Sequence, residues 1–455
     1  MGVLDDTAHS RALELLDAGD APQARDLLLA AVRNAVDPEL LNDLAVVTAQ
    51  AGDIAAGADL LQALVALHPK HRAGAENLAA LGARLPWPAS AGAAPDAEAT
   101  DDRRPRFLQT VADALGTHLA DNIDHLFEPW GRELPDPATV GDRSAEQLAV
   151  LDRCDTIWRS LGDEPSRSLL LRFLAFKALG PAHVRLQLHP SEYRRAVIGL
   201  SAGALTQAAA LPLPGMPLEW QMHQYDMTSV GLPISVIGPP LPLASTMLLS
   251  QYAYRDPAAL AGPRPGDIAL DAGGCWGETA LWLAHIVGPE GWVHTFEPTP
   301  GNRHLLHRNL SLNPALASRI TVWDDPLGAT TGEAVWIPDV IAAGATTQSG
   351  AGDANGFPTL ELSTQTIDAF VAQAQLPRVD FLKVDVEGAD LGVLHGAADT
   401  IRRDRPRLAL ACYHKPDDLV TIPDFISSLD VDYRWYLQCS TMTDVDTVAF
   451  GVPVT

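Results

Sequence analysis

Cysteine and basic residues are both scarce in this 455-residue chain, and each shortage closes off a class of protein. The four cysteines, Cys154, Cys275, Cys412 and Cys439, stand far apart with no C-x-x-C pair. That spacing fits neither a disulfide framework nor a structural zinc site, and it suits a reducing cytoplasm. Lys and Arg number 32 against 57 Asp and Glu, a formal net charge of -25. Nucleic-acid backbones and anionic membrane surfaces are therefore not expected as partners. No apolar run reaches the roughly 18 residues of a membrane span. The N-terminal "MGVLDDTAHSR" lacks the basic, apolar and small-residue order of a signal peptide. What remains is 47% hydrophobic and 20% charged, a composition that predicts a soluble, cytoplasmic globular protein with much helix. At this length two or three domains are expected rather than one core.

Residues 1–85 repeat themselves. "AGDAPQARDLLLAAV" and "AGDIAAGADLLQALV" align at an offset of 33, with Gly19 on Gly52, Leu27 on Leu60 and small Ala24 on small Gly57. "LNDLAVV" and "AENLAAL" align at an offset of 34, Leu44 on Leu78. Paired amphipathic helices at this period, with Pro38 and Pro69 near their boundaries, resemble about two tetratricopeptide repeats and a closing helix. A plain helical bundle is the alternative, because such arrays ask for three repeats. Residues 86–106 are rich in Ala, Pro and charge without periodicity and read as a linker. Residues 107–242 form a mainly helical lead-in to about Ala210, followed by short β-like runs punctuated by glycine and proline.

From 243 to 455 the rhythm alternates. "DIALDAG", "WVHTFEP", "ITVWDD", "VDFLKVDVEG" and "RLALACYH" read as strands, separated by helix-like runs, and "YRWYLQCS" with "TVAFGVP" closes the chain as a hairpin. This alternation predicts an α/β fold, a doubly wound and mostly parallel sheet with ligands at the carboxyl ends of its strands.

The first strand runs into "LDAGGCWGETALWLA", where Asp271 precedes Gly273, Gly274 and Gly277 and a helix starts near Glu278. In a dinucleotide fold such a loop is G-x-G-x-x-G and cradles a pyrophosphate at the helix N-terminus. Here the spacing is D-x-G-x-x-x-G, and an aspartate beside a pyrophosphate costs Coulomb energy. A cationic ligand gains from it, which favours S-adenosylmethionine over NAD. Glu297, 26 residues on in "HTFEP", suits a grip on ribose hydroxyls, a feature both cofactors share.

The succession of this glycine loop, "FEP" and the K-x-D-x-E-G block in "VDFLKVDVEGAD" resembles the FkbM-type S-adenosylmethionine-dependent methyltransferases. The likeness spans about 243–453, and more loosely 144–242. It implies a class I methyltransferase-like, seven-stranded, mostly parallel sheet and methyl transfer, usually to a hydroxyl of a sugar, polyketide or other natural-product-like small molecule or glycan. N-methylation of a peptide or amine, and a degenerate scaffold, are the alternatives. In such a fold the base is expected at the end of the fourth or fifth strand.

"FLKVDVEG" sets Lys383, Asp385 and Glu387 at alternate positions, expected on one side of the strand. Asp385 is the candidate nearest the methyl, with Lys383 an internal ion-pair partner. His414, at the end of the fifth strand, is a candidate proton acceptor. Asp385, Glu387 and His414 also form a ligand set for a divalent metal, which nothing in the spacing demands. Asp324 and Asp325 are candidates to meet the adenine amino group, and Thr279 to meet the methionine carboxylate. Trp276 reads either as a cover for the cofactor or as packing, and "SQYAY" (residues 250–254) as a candidate cap of its pocket; His285, His304 and His307 read as surface or packing residues. Residues 1–85 are the candidate surface for a protein partner or for self-association.

Overall fold

A computed structural model describes residues 10–12, 14–15, 18, 20–34, 38–50, 61, 64, 102–119, 122, 137–200, 204–211, 222–256, 259, 261–338, 341 and 359–454. Its helices are α1 (Ala21–Asn34), α2 (Pro38–Gln50), α3 (Arg103–Leu115), α4 (Pro137–Arg153), α5 (Asp155–Ser160), α6 (Glu164–Leu179) and α7 (Pro190–Gly199), ahead of the first strand. The chain forms two compact units, Met1–Ala93 with His189–Gly203, and Ala94–Leu188 with Ala204–Thr455.

In the first unit α1 packs against α2. Asp20 caps α1 by accepting the Gln23 N–H at 3.1 Å. Ala24 and Leu28 of α1 and Leu44 and Ala45 of α2 are buried, the small Ala24 completely. One helical pair of the expected repeat is thus described. Of the residues carrying the rest of the repeat, Leu61 and Leu64 are buried, whereas Gly52, Gly57, Leu60 and Leu78 lie outside the described residues, and no array is established. Most of the expected linker, 86–101, lies outside them as well. Its last residues are helical, because α3 starts at Arg103.

In the second unit the lead-in helices pack on the sheet. Asp163 caps α6 by accepting the Ser166 N–H at 2.8 Å, and Pro165 occupies the first turn, where its missing N–H costs nothing. Leu169, Leu170, Leu171, Phe173 and Leu174 are buried in the main core. Three strands follow, β1 (Leu205–Leu211), β2 (Met222–Asp226) and β3 (Ser235–Gly238), in antiparallel order. The alanine-rich stretch of β1 was expected to be helical to Ala210; pairing with β2 overrides that propensity.

The remaining elements alternate: β4 (Ile268–Ala272), α8 (Glu278–Val287), β5 (Trp292–Phe296), α9 (Pro300–Leu312) and β6 (Ile320–Trp323) come first. A separate hairpin, β7 (Ala334–Pro338) with β8 (Thr359–Ser363), was not anticipated. Then come α10 (Ile367–Gln373), β9 (Phe381–Val384), α11 (Asp390–His395), α12 (Ala398–Asp404), β10 (Arg407–Ala411), α13 (Asp418–Ser427), β11 (Tyr433–Cys439) and β12 (Thr447–Pro453). The seven-stranded sheet has the order β11-β12-β10-β9-β4-β5-β6. Only β12 runs against its neighbours, in the expected terminal hairpin with β11. β9 and β10 are buried along their whole lengths, as strands covered on both faces must be. The order reverses between β4 and β9, so their carboxyl ends flank the switch point where such sheets hold ligands.

Candidate functional site

Asp271 and Lys383 are direct neighbours across β4 and β9. Asp271 is 0% exposed and Lys383 2%, and the Lys383 Nζ lies 3.1 Å from Asp271 Oδ1. Asp271 Oδ2 accepts the Thr295 hydroxyl at 2.8 Å. Lys383 also donates to the carbonyls of Ala272 at 3.1 Å and Gly273 at 2.5 Å. Asp271, expected to face a cationic ligand, is met here by a cation of the chain itself, Lys383, and the pair clamps the loop.

The loop glycines make room for protein. Gly273 sits at φ +91°, and a Cβ there would lie 1.9 Å from the Asp385 carbonyl oxygen. The glycine brings the end of β4 against the end of β9. Gly277, at φ +84°, is the N-cap of α8, and a Cβ there would press on Leu306. Gly274 lies between them and donates its N–H to the Phe296 carbonyl at 2.8 Å.

Two other carboxylates face this loop. Glu297, 5% exposed at the end of β5, accepts the Cys275 N–H at 2.9 Å and the Thr299 N–H at 2.8 Å, with Asn302 at 3.5 Å. Burial raises its pKa against those donors. Glu278, 7% exposed, was not singled out from the sequence. Burial pushes its pKa up to about 7, opposed by its own N–H, the Lys383 charge and the Trp276 N–H, while Asp271 adds to the rise. Its Oε2 is buried without a hydrogen-bond partner. The loop N–H groups that would cradle a phosphate are thus taken within the chain: Cys275 by Glu297, Gly273 and Gly274 by the Phe296 carbonyl, and Gly277 by the Gly274 carbonyl. An acidic residue in the first turn of a helix is commonplace, so the sequence carried no sharper signal for Glu278.

The third group lies at the ends of β9 and β10. β9 stops at Val384; Glu387 at φ +55° and Gly388 at φ +94° turn the chain away. Lys383 pairs with Asp271 and lies 5.2 Å from the Tyr252 ring, while Asp385 and Glu387 stand against His414. The His414 Nε2 lies 3.4 Å from Asp385 Oδ1 and 3.5 Å from Glu387 Oε2. Its Nδ1 lies 2.8 Å from Asp390 Oδ2. Asp390, 1% exposed, also accepts the N–H groups of Val386 and Gly388, both at 3.0 Å. Burial alone would lower the His414 pKa; the Asp390 hydrogen bond and the charges of Asp385, Asp390 and Glu387 overcome it and raise it to about 9. Tyr252 donates its hydroxyl to Asp385 Oδ2 at 2.7 Å, and Tyr413 approaches the same carboxylate at 3.4 Å. Asp390, Tyr252 and Tyr413 are the residues that sequence reasoning missed in this cluster, although Tyr252 lies in the "SQYAY" stretch it flagged.

The other candidates divide. Asp324 is exposed and lies 3.9 Å from Arg303, whereas Asp325 is half-buried, its pKa raised by burial and then by Asp324. Thr279 is buried in the first turn of α8. Trp276 is a core residue, 1% exposed and donating to Asn302 at 3.1 Å, which is the packing alternative. Tyr254 turns to Asp163 at 2.7 Å. His285 is half-buried, and His304 and His307 are exposed.

The family model described as methyltransferase FkbM domain matches residues 263–434. Those residues are an FkbM methyltransferase domain. The match contains the glycine loop, Glu297, Lys383, Asp385, Glu387, Asp390 and His414, with Tyr252 ahead of it. No curated protein matches the chain in sequence. Among solved structures, the chain is similar to methyltransferase FkbM from Methylobacillus flagellatus KT, at 18% identity over 68% of this chain and 62% of that one, with a TM-score of 0.42. This chain thus spans less than two thirds of that protein's length. It is also similar to Aeropyrum pernix fibrillarin in complex with S-adenosyl-L-methionine, at 13% identity over 53% and 85% of the two chains (TM-score 0.30). A third is the O-methyltransferase TomG from Streptomyces achromogenes, at 14% identity over 47% and 81% (TM-score 0.28). Among the described residues no helix is long and apolar enough to cross a membrane.

Proposed function

We propose that this FkbM domain transfers the methyl group of S-adenosylmethionine to a hydroxyl oxygen of a small-molecule or glycan acceptor. When bound, that cofactor supplies an electrophilic methyl on a sulfonium and carries a cationic ammonium. The residues at the loop fit such a ligand: Glu278 Oε2 is a buried, unpartnered acceptor, and Glu297 stands at the end of the second strand of the domain. Their charge favours a cation, where a pyrophosphate would be repelled. Glu278 is the residue proposed to meet the ammonium, Glu297 the ribose hydroxyls, and Thr279 and Asp325 the carboxylate and the adenine.

The single observation that supports a hydroxyl acceptor is the buried His414 cluster beside the loop. An alcohol must lose its proton as the new C–O bond forms, whereas an amine reacts through its lone pair and needs a base less. As the C–S bond breaks, its electron pair stays with sulfur, and the hydroxyl proton passes to the cluster. Asp385, oriented by Tyr252, is the acceptor of that proton, and His414 positions it. The test is transfer of labelled methyl from S-adenosylmethionine to matched alcohol and amine panels. Turnover confined to amines overturns the hydroxyl reading.

A further inference from the structure

We infer that Asp385, Glu387 and His414 form a site for one divalent transition-metal ion. Their donor atoms all lie within 4.8 Å of one another, and two of the three spacings are 3.4 and 3.5 Å. Donors about 2.1 Å from a common ion stand about 3.0–3.5 Å apart, so these side chains are already arranged as a ligand set. His414 carries the independent sign. Its side chain is 8% exposed, its Nε2 is buried without a hydrogen bond, and that atom points at the two carboxylates.

The surroundings are those of a metal centre. Asp390 takes the Nδ1 side of the imidazole, which leaves Nε2 as the donor atom and fixes the ring. Tyr252 holds Asp385 by Oδ2, leaving Oδ1 toward the site. Asp446, hydrogen-bonded to Ser245 at 3.0 Å, adds its charge near Asp385 and His414. Lys383 is held by Asp271 and two carbonyls, and its charge also acts on Asp385. The imidazole itself meets three carboxylates, those of Asp385, Glu387 and Asp390, an acidic setting that suits a dication. A mixed nitrogen and oxygen set selects ions of the manganese or zinc kind over magnesium or calcium. The ion's catalytic use, lowering the pKa of the acceptor hydroxyl, rests on the proposed methyl transfer; its binding does not.

Manganese binding to the chelator-stripped full-length protein, followed by electron paramagnetic resonance, tests the site. One saturable site is expected, with nitrogen-14 coupling from one imidazole. Asp385→Asn and His414→Ala should each weaken it at least tenfold, and Asp390→Asn by about 10–100-fold. No saturable binding up to about 1 mM, corresponding to less than about 4 kcal/mol, overturns the site. So does binding without nitrogen coupling, or with unchanged affinity in folded Asp385→Asn. If His414→Ala does not fold, the coupling in the unmodified protein decides. S-adenosylmethionine calorimetry on the same sample separates the two readings. Manganese bound without cofactor overturns methyl transfer alone, and cofactor bound without manganese overturns the metal site alone.

Discussion

Glu278→Gln is the most informative single change. Burial raises the Glu278 pKa from 4.5 to about 7. A bound ammonium favours the charged carboxylate, so below pH 7 binding must first remove a proton. Cofactor affinity should therefore fall about tenfold, or 1.4 kcal/mol, for each pH unit below 7. The cofactor's own α-amino group titrates at about 7.7–8.0, so the informative window lies below it. Glutamine removes both the charge and the slope. Losing one charge-assisted hydrogen bond costs about 1.5–3 kcal/mol, roughly 10–150-fold in affinity at pH 7.5. The unliganded protein should change in the opposite sense. A carboxyl whose folded pKa is raised contributes stability below pH 4.5, and that contribution is lost as the pH rises through 7. At pH 8 the glutamine variant should be the more stable, by up to about 3 kcal/mol. Calorimetry from pH 5.5 to 7.5, with thermal unfolding of both proteins, measures each quantity. Equal pH slopes for the two proteins would refute the reasoning, as would undiminished affinity in a folded variant.

The Asp271–Lys383 pair should behave as a buried ion pair: Lys383→Met should destabilise by about 3–5 kcal/mol in denaturant unfolding, and Asp271→Leu added to it should recover part of the loss. Gly273→Ala, with its Cβ 1.9 Å from a carbonyl oxygen, should cost about 3 kcal/mol or more. A variant of unchanged stability would show that the two strand ends are not locked together. Asp385→Asn should lower turnover by about 10²–10⁴-fold while cofactor affinity stays within a few-fold, a split that single-turnover kinetics resolves. Tyr252→Phe should lower turnover less, and Asp385→Asn combined with it should add little, because both act on one carboxylate.

Much of the second unit was legible because its strands are buried on both faces, so runs such as "DIALDAG" and "RLALACYH" stand out without alternation. The site was legible as strand ends and less so as contacts. Lys383, Asp385 and Glu387 share a two-residue spacing, but the positive φ of Glu387 and the Asp390 hydrogen bonds end the strand between them. Spacing cannot report a turn stabilised by a side chain further on. The partner of Asp271 was hidden for another reason: strand order, not sequence proximity, sets it beside Lys383. β1 failed because alanine favours helix locally, and the pairing that overrides it is non-local.

The central claim is that carboxylates set into a glycine loop select a cationic nucleoside over a dinucleotide. Side-by-side calorimetry of S-adenosylmethionine and NAD with the full-length protein at pH 7.5 tests it most directly. The account predicts one saturable site for S-adenosylmethionine and no measurable heat with NAD. Saturable NAD binding, with none for S-adenosylmethionine below about 1 mM, would contradict it.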